Sequence, residues 1–221
     1  DCRSSHECAD LDLHQIASPQ FAVDRQIEER PVSQSMLPIE HEALPGLEPD
    51  HPQRYRATIA RELTDPLGIA PERVHGPDPA PEGLPGAGGR YEQAIRDAGG
   101  IDLQVLGIGT DGHLAFNEPG SSLGSLTRLK TLAEETRRAN ARFFATIDEV
   151  PRHVLTQGLG TILRARHLLL LATGADKAPA IAAAVEGPLG ASCPASVLQL
   201  HPHATVLLDA GAASELTRLD H

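Results

Sequence analysis

A loop near the middle of the chain combines carboxylates with an imidazole. Residues 103–108 are uncharged, lack helical periodicity and are followed by glycines, which predicts a fully buried parallel strand. Directly after them come Asp111, His113 and Glu118. Ligands of open α/β sheets bind beyond the carboxyl ends of the strands, so these side chains are well placed for chemistry. Imidazole exchanges protons near neutral pH and carboxylates can orient it, so the spacing indicates a proton relay.

Two other interpretations of these residues stay open on spacing alone. A polar loop that only caps the sheet uses the same residue types, and such spacings are common. One histidine with two carboxylates could also hold a divalent ion, although no H-x-x-x-H or C-x-x-C pair supports a metal site. His201 and His203 would share one face of a strand and are a further, weak metal candidate.

The composition limits the class of protein and its partners. A chain of 221 residues is long enough for one large domain. The net charge is −11 and the basic residues form no long run, which argues against nucleic acid and membrane surfaces as partners. No apolar run approaches the roughly 20 residues of a membrane span and no signal peptide is recognisable, so we expect a soluble, cytoplasmic protein. The odd number of cysteines and their lack of metal-ligand spacing favour free thiols, with a Cys2–Cys8 bridge as a weak alternative. The cysteines are Cys2, Cys8 and Cys193.

Several separate blocks of the sequence resemble one known family in order and spacing. They are LGIGTDGHLAFNEPGSS, then TRLKTL from Thr127, then NARFF from Asn140. Together they closely resemble the glucosamine-6-phosphate deaminase (glucosamine-6-phosphate isomerase) family. The resemblance implies an α/β fold with the Rossmann-like parallel sheet of the deaminase and ribose-phosphate-isomerase superfamily. It also implies a hydrolase of amino sugar metabolism and N-acetylglucosamine catabolism, which needs no cofactor and converts glucosamine 6-phosphate and water to fructose 6-phosphate and ammonia.

The resemblance assigns catalytic roles to four residues. His113 would move a proton between the anomeric hydroxyl and the ring oxygen, and Asp111 and Glu118 would hold and polarise its imidazole. Glu42 stands where the family has an aspartate that removes the C2 proton. The alternative for Glu42 is that the match has already ended there, which would make it a solvated loop residue.

The resemblance also assigns residues that bind phosphate. Arg142 and Lys177 match the cations that contact the substrate phosphate, and a guanidinium suits bidentate phosphate binding. In regulated, hexameric members, three further positions bind the phosphate of an allosteric amino-sugar phosphate at a subunit boundary. Leu126 stands where an arginine is usual, which argues against regulation here. The alternative for Arg128 and Lys130 is that they lie on an exposed strand face. A homo-oligomer stays possible. The matching allosteric positions are Ser121, Arg128 and Lys130.

The first 45 residues differ from the rest of the chain. All 20 glycines lie from Gly46 onward. The family opens with a βαβ unit whose glycine-rich loop wraps the substrate phosphate at a helix N-terminus, and that loop is not recognisable here. We therefore divide the chain into an atypical segment 1–45, disordered, mis-framed or divergent, and a deaminase-like α/β domain 46–221.

This N-terminal difference leaves alternatives to an active enzyme. Since the chain starts with Asp rather than Met, we expect a fragment or a faulty boundary, and hence weak activity or none. The alternatives are an inactive fragment, a non-enzymatic sugar-phosphate-binding protein, and a 6-phosphogluconolactonase-like hydrolase of the same fold.

Hydrophobic spacing predicts the elements around the loop. We expect a helix over 53–68 with Tyr55, Ile59 and Leu63 on its inner face, and a second helix over 88–100. A strand at 127–132 and a helix over 150–165 should follow. Between them we expect a helix at 133–140, because its acids come first and its bases last, as the helix dipole favours. We also expect an apolar strand from His167, a helix over 176–187 and a last strand from Thr205.

Overall fold

The computed structural model describes residues 37–38, 42–43, 55–77, 84–132, 134–141, 144 and 146–217. All of them belong to one unit, Gln34–His221. Most of the predicted atypical segment 1–45 lies outside the described residues, so the predicted boundary at residue 46 stays a prediction.

Strands and helices are interspersed along the described chain, as in an α/β fold. The strands are β1 Leu37–Pro38, β2 Glu42–Ala43, β3 Val74–His75, β4 Leu103–Leu106, β5 Arg128–Thr131, β6 His153–Thr156, β7 His167–Ala172 and β8 Ala204–Leu208. The α-helices are α1 Tyr55–Ile59, α2 Ala87–Asp97, α3 Glu134–Asn140, α4 Leu159–Ile162 and α5 Ala178–Val185. Short 3₁₀ turns lie at Pro71–Arg73, Ile147–Glu149, Ala175–Lys177 and Pro194–Leu200. Within the described ranges, no helix is both long and apolar enough to cross a membrane.

A parallel sheet in the order β4-β7-β8 forms the centre of the fold and confirms the predicted α/β class. Its inner face carries Leu106, Leu168 and Leu170, which are at most 3% exposed and pack in one core with Tyr91 of α2 and Ile181 of α5. The carboxyl ends of parallel strands meet at one edge. The loop after β4 and the turn after β7 therefore lie at the same edge of the sheet.

Strand β4 is buried on one face only, so the expectation of a fully buried strand is wrong. Leu103 and Val105 are 54% and 44% exposed, whereas Gln104 and Leu106 are buried. Successive side chains of a strand point to opposite faces. In the described part of the chain only one of these faces packs against the core, so an uninterrupted apolar run does not guarantee burial on both.

A second sheet, in the order β2-β6-β5, is antiparallel. Its central strand β6 lies inside the segment 150–165, for which we expected one helix, and that prediction is wrong: only α4 is helical there. Val154, Leu155 and Thr156 are at most 1% exposed between the two neighbouring strands. Strand pairing therefore overrides the local helical spacing, which is a tertiary effect. Strands β1 and β3 form a separate parallel pair.

The helix predicted over 53–68 is present but changes its winding. After α1 the chain continues as a π-helix, Ala60–Thr64. The amide of Asp65 donates to the carbonyl of Ala60 at 2.9 Å, which spans five residues. The wider turn shifts the buried face by one position, so Thr64 is 3% exposed and Leu63 is 43% exposed. The predicted inward position of Leu63 is wrong for this reason.

A buried carboxylate joins α2 to the start of β5 and to α4. Glu92 is 5% exposed and accepts hydrogen bonds from the amide and hydroxyl of Thr127, at 3.0 and 2.6 Å, and from the hydroxyl of Thr161. Arg164 lies 3.7 Å from the carboxylate. Burial alone raises the pKa of Glu92, but these hydrogen bonds and the arginine outweigh it, and the pKa falls below its ordinary value.

We expect Glu92→Gln to lower the free energy of unfolding by about 1–3 kcal/mol at pH 7, because charge-assisted hydrogen bonds to a buried group are lost. A carboxylate with a lowered folded-state pKa stabilises above its unfolded pKa and loses this contribution as pH falls through the folded value. The difference between wild type and variant should therefore shrink below the ordinary pKa of 4.5. Urea unfolding at neutral and acidic pH measures it, with exposed Glu62→Gln as the control. Equal stability of Glu92→Gln and wild type at pH 7 would contradict this role.

Candidate active site

The loop after β4 brings Asp111 and His113 into direct contact. Oδ1 of Asp111 lies 2.6 Å from Nδ1 of His113 and also accepts the His113 amide at 3.1 Å. The imidazole lies over Gly109, where a Cβ would come within 2.1 Å of the ring, so the position requires glycine. With Asp111 ionised, this bond favours the tautomer protonated at Nδ1. Nε2 is then the nitrogen that can accept a proton from a substrate, and the imidazole is partly accessible, with 35% of the side chain exposed.

Glu118, at the far end of the same loop, bonds to a helix rather than to the imidazole. Its Oε1 accepts the hydroxyl of Thr136 on α3. Among the described residues it makes no hydrogen bond with His113. The charge of Glu118 also acts on Lys130: burial lowers the pKa of Lys130, Glu118 opposes that shift and Arg128 adds to it. Glu118 therefore connects the loop to α3 and to the basic face of β5.

The residues matched to an allosteric site lie on or next to β5. The ammonium of Lys130 donates to the hydroxyl of Ser121 at 3.1 Å. The guanidinium of Arg128 donates to the carbonyl of Leu126 at 3.3 Å, and burial lowers the pKa of Arg128. The structure thus brings Ser121 and Lys130 together, while Arg128 makes its bond to the preceding segment.

Lys177 lies at the same edge of the parallel sheet, in the turn between β7 and α5. Its side chain is 27% exposed, and Nζ is 3.9 Å from a carboxylate oxygen of Asp176. Helix N-termini favour anions, so an ammonium next to α5 adds to a cationic environment.

Asp209, which follows β8, holds this turn and was not predicted from the sequence. Its carboxylate accepts the amide of Gly174 at 3.0 Å and the amide of Ala212 at 2.7 Å. These backbone hydrogen bonds lower the pKa of Asp209, which favours the charged acceptor. The only sequence signal for this role is a carboxylate directly after the last strand.

Of two further predicted site residues, the structure describes the strand position of Glu42 but does not describe Arg142. Glu42 lies on β2 in register with Thr156 of β6, and the Thr156 hydroxyl accepts the amide of Phe116 from the Asp111 loop at 3.3 Å. The backbone of Glu42 is therefore one strand away from that loop. Arg142 lies outside the described residues, two positions after the end of α3.

The histidine pair considered as a metal site is arranged differently from the prediction. His201 and His203 precede β8, and Nδ1 of His201 accepts the amide of His203 at 3.1 Å. Nε2 of His201 is 2.8 Å from the carbonyl of Ala165. Both ring nitrogens of His201 are therefore engaged. In the part of the chain that the structure describes, no three His, Cys, Asp or Glu side chains lie close enough together to hold a metal ion.

Comparisons with known proteins identify the family to which the sequence is similar. Residues 46–207 match the family described as glucosamine-6-phosphate isomerases/6-phosphogluconolactonase. The glucosamine-6-phosphate deaminase of Arthrobacter sp. (strain FB24) is 62% identical over 176 residues, covering 80% of this chain and 68% of that protein. The deaminase of Streptomyces avermitilis is 59% identical over 177 residues, covering 80% and 68%.

Solved structures show the same relationship. The structure of a monomeric glucosamine-6-phosphate deaminase is similar with a TM-score of 0.75 and 41% identity, covering 79% of this chain and 73% of that one. The 6-phosphogluconolactonase from Trypanosoma cruzi has a TM-score of 0.61 and 20% identity, covering 80% and 71%, and so shares the fold alone.

Proposed function

We propose that this chain, which belongs to the glucosamine-6-phosphate isomerase and 6-phosphogluconolactonase family, is a glucosamine-6-phosphate deaminase. It converts glucosamine 6-phosphate and water to fructose 6-phosphate and ammonia, an aldose–ketose isomerisation coupled to deamination. The observation that carries the proposal is the Asp111–His113 pair, 2.6 Å apart, at the carboxyl edge of the parallel sheet. The identities of 62% and 59% to named deaminases favour this activity over lactone hydrolysis.

The expectation of a hydrolase is wrong. The curated relatives are named deaminases and the family description names isomerases. The family description also names 6-phosphogluconolactonase, but the solved structure of that enzyme from Trypanosoma cruzi is only 20% identical to this chain. The chemistry assigned to this chain is accordingly isomerisation with deamination.

His113 carries the first step in this proposal. Nε2 takes the proton of the anomeric hydroxyl and delivers it to the ring oxygen, which opens the pyranose. Asp111 holds the ring by Nδ1 and stabilises the imidazolium that forms between the two transfers. The support is geometric: the hydrogen bond occupies Nδ1 and leaves the other nitrogen for the sugar.

The second step needs a carboxylate base, and we assign it to Glu42. This residue removes the C2 proton and returns it to C1, and water then displaces ammonia from the imine at C2. The support is the pairing of Glu42 with Thr156, which bonds the Asp111 loop. Glu118 completes the proposed site, since Thr136 holds its carboxylate on the same loop as His113.

Lys177 and Arg142 bind the substrate phosphate in this proposal. The position of Lys177 in the turn before α5 supports it for that residue. The proposal also includes the expected cytoplasmic location. The oligomeric state and the regulatory role of Ser121, Arg128 and Lys130 stay predictions.

Release of ammonia from glucosamine 6-phosphate by the purified chain tests the proposal. We expect measurable but slow release, because the family's phosphate loop is not recognisable in the sequence. We also expect the release to require the phosphate, to which Lys177 and Arg142 are assigned. Binding of the sugar phosphate without ammonia release would support the non-enzymatic alternative. Faster hydrolysis of 6-phosphogluconolactone than deamination would assign the chain to the lactonases.

We expect Asp209→Asn to raise the KM for glucosamine 6-phosphate several-fold with little change in kcat. The neutral amide is a weaker acceptor for the amides of Gly174 and Ala212, so the turn that presents Lys177 is held less firmly. Steady-state ammonia release measures both constants. Exposed Asp65→Asn is the control, and a change in kcat alone would argue against a role in phosphate binding.

A further inference from the structure

A short turn formed by Gly190–Ser196, here called the brace, closes on itself through Ser196. The Ser196 hydroxyl donates to the carbonyl of Gly190 at 3.2 Å and accepts the amide of Gly190 at 3.0 Å. The amide of Cys193 donates to the Gly190 carbonyl at 3.2 Å, and the amide of Ser196 donates to the Cys193 carbonyl at 2.9 Å. Ser196 is fully buried, so its hydroxyl depends on these partners.

The brace bonds the loop that carries Asp111, His113 and Glu118 at two places. The amide of Ala195 donates to the carbonyl of Gly112, which lies between Asp111 and His113, at 2.8 Å. The amide of Gly120, two residues after Glu118, donates to the carbonyl of Ala191, also at 2.8 Å. The brace thus bonds the loop both before His113 and after Glu118.

A close packing contact strengthens the first of these attachments. Gly112 has a φ of +82°, and a Cβ at this position would lie 2.7 Å from Sγ of Cys193. Cys193 is a free, buried thiol. Burial, together with the nearby charge of Asp111, raises the pKa of Cys193, so it packs against the loop as a neutral group.

We propose that Ser196 and Cys193 are positioning residues for the deamination, because the brace sets the Asp111–His113 pair and Glu118 in their relative positions. This inference rests on the proposed function. Proton transfer requires near-attack geometry, and a misplacement of 1 Å can lower the rate about 10²-fold. The brace contacts the loop through backbone hydrogen bonds and through Sγ of Cys193, and not through the reacting groups. Its effect on catalysis is therefore indirect.

Ser196→Ala tests the hydroxyl. We expect kcat to fall about tenfold, with KM within about twofold of wild type, because the loop loosens while the phosphate site is unaffected. Ser125→Ala is the matched control: it removes a hydroxyl that accepts the amide of Leu159 on α4, at 3.2 Å, rather than a bond within the brace. The control should lower the melting temperature without lowering kcat. An unchanged kcat in Ser196→Ala contradicts the proposal.

Gly112→Ala, with and without Cys193→Ala, tests the packing contact. The single variant forces a methyl against Sγ and should lower kcat, whereas the double variant removes the sulfur and should recover part of the loss. The next Cys193 atoms are 3.6 Å away, an ordinary contact distance. No recovery in the double variant would show that backbone strain alone is responsible and would overturn the role of Cys193.

Amide hydrogen exchange separates this inference from the proposed function. We expect faster exchange of residues 109–120 in Ser196→Ala and no such change in Ser125→Ala. If the wild type releases no ammonia, the proposed function fails. The effect of the brace on the loop is then tested by the amide exchange rates of residues 109–120 alone. Unchanged exchange in this loop would then refute the brace itself.

Discussion

Replacing His113 by Gln should lower the kcat for ammonia release by about 10²–10⁴-fold, the usual contribution of general acid–base catalysis. Glutamine keeps a polar side chain of similar length but cannot shuttle a proton between the anomeric hydroxyl and the ring oxygen. The KM for glucosamine 6-phosphate should stay close to that of wild type, since the phosphate contacts are assigned to other residues. Steady-state kinetics of ammonia release provide both constants.

His153→Gln is the matched control for this experiment. His153 is an exposed histidine of β6 whose Nδ1 lies 3.3 Å from the hydroxyl of Thr131, so its ring is also hydrogen-bonded. This variant should keep the turnover of wild type. Near-normal turnover in His113→Gln, with the native melting temperature, would exclude the proton relay.

The parallel sheet could be predicted because its signals are local. The uncharged run of leucines in β7 is followed by Gly174, and the alanine-rich segment after that glycine forms α5, so strand and helix both appear where expected. The charge pattern of α3, acidic first and basic last, agrees with the helix dipole and also predicted its position.

Elements that depend on distant partners could not be predicted in the same way. Strand β6 has helical spacing in its sequence, but pairing with β2 and β5, more than 100 residues and about 25 residues away along the chain, makes it a strand. The π-helical turn after α1 has no sequence signature that we recognised, and it reverses the burial of Leu63 and Thr64.

The candidate site shows the same division between local and distant contacts. Asp111 and His113 are two residues apart, so their hydrogen bond could be inferred from spacing. The partner of Glu118, Thr136, is 18 residues away, and Asp209 reaches Gly174 over 35 residues. Contacts of this kind depend on how the strands are ordered in the sheet, which periodicity does not specify.

Neutralising Lys177 should have the second largest effect, on KM rather than on kcat. A hydrogen bond to a charged group contributes about 1.5–3 kcal/mol, so Lys177→Met should raise the KM for glucosamine 6-phosphate about 10–100-fold. Arg142→Met should act in the same direction, because both cations are assigned to the same phosphate. Arg61→Met is the control, since it removes one positive charge from an exposed side chain whose ion pair among the described residues is with Glu62.

Glucosamine without phosphate makes this test specific. If Lys177 acts through the phosphate, wild type and Lys177→Met should use glucosamine equally poorly, and the difference between them should appear only with the phosphorylated sugar. A general loss of structure would instead lower activity on both sugars. Equal use of both sugars by wild type would mean that the phosphate is not the group by which this site holds its substrate, and the proposed function would have to be abandoned.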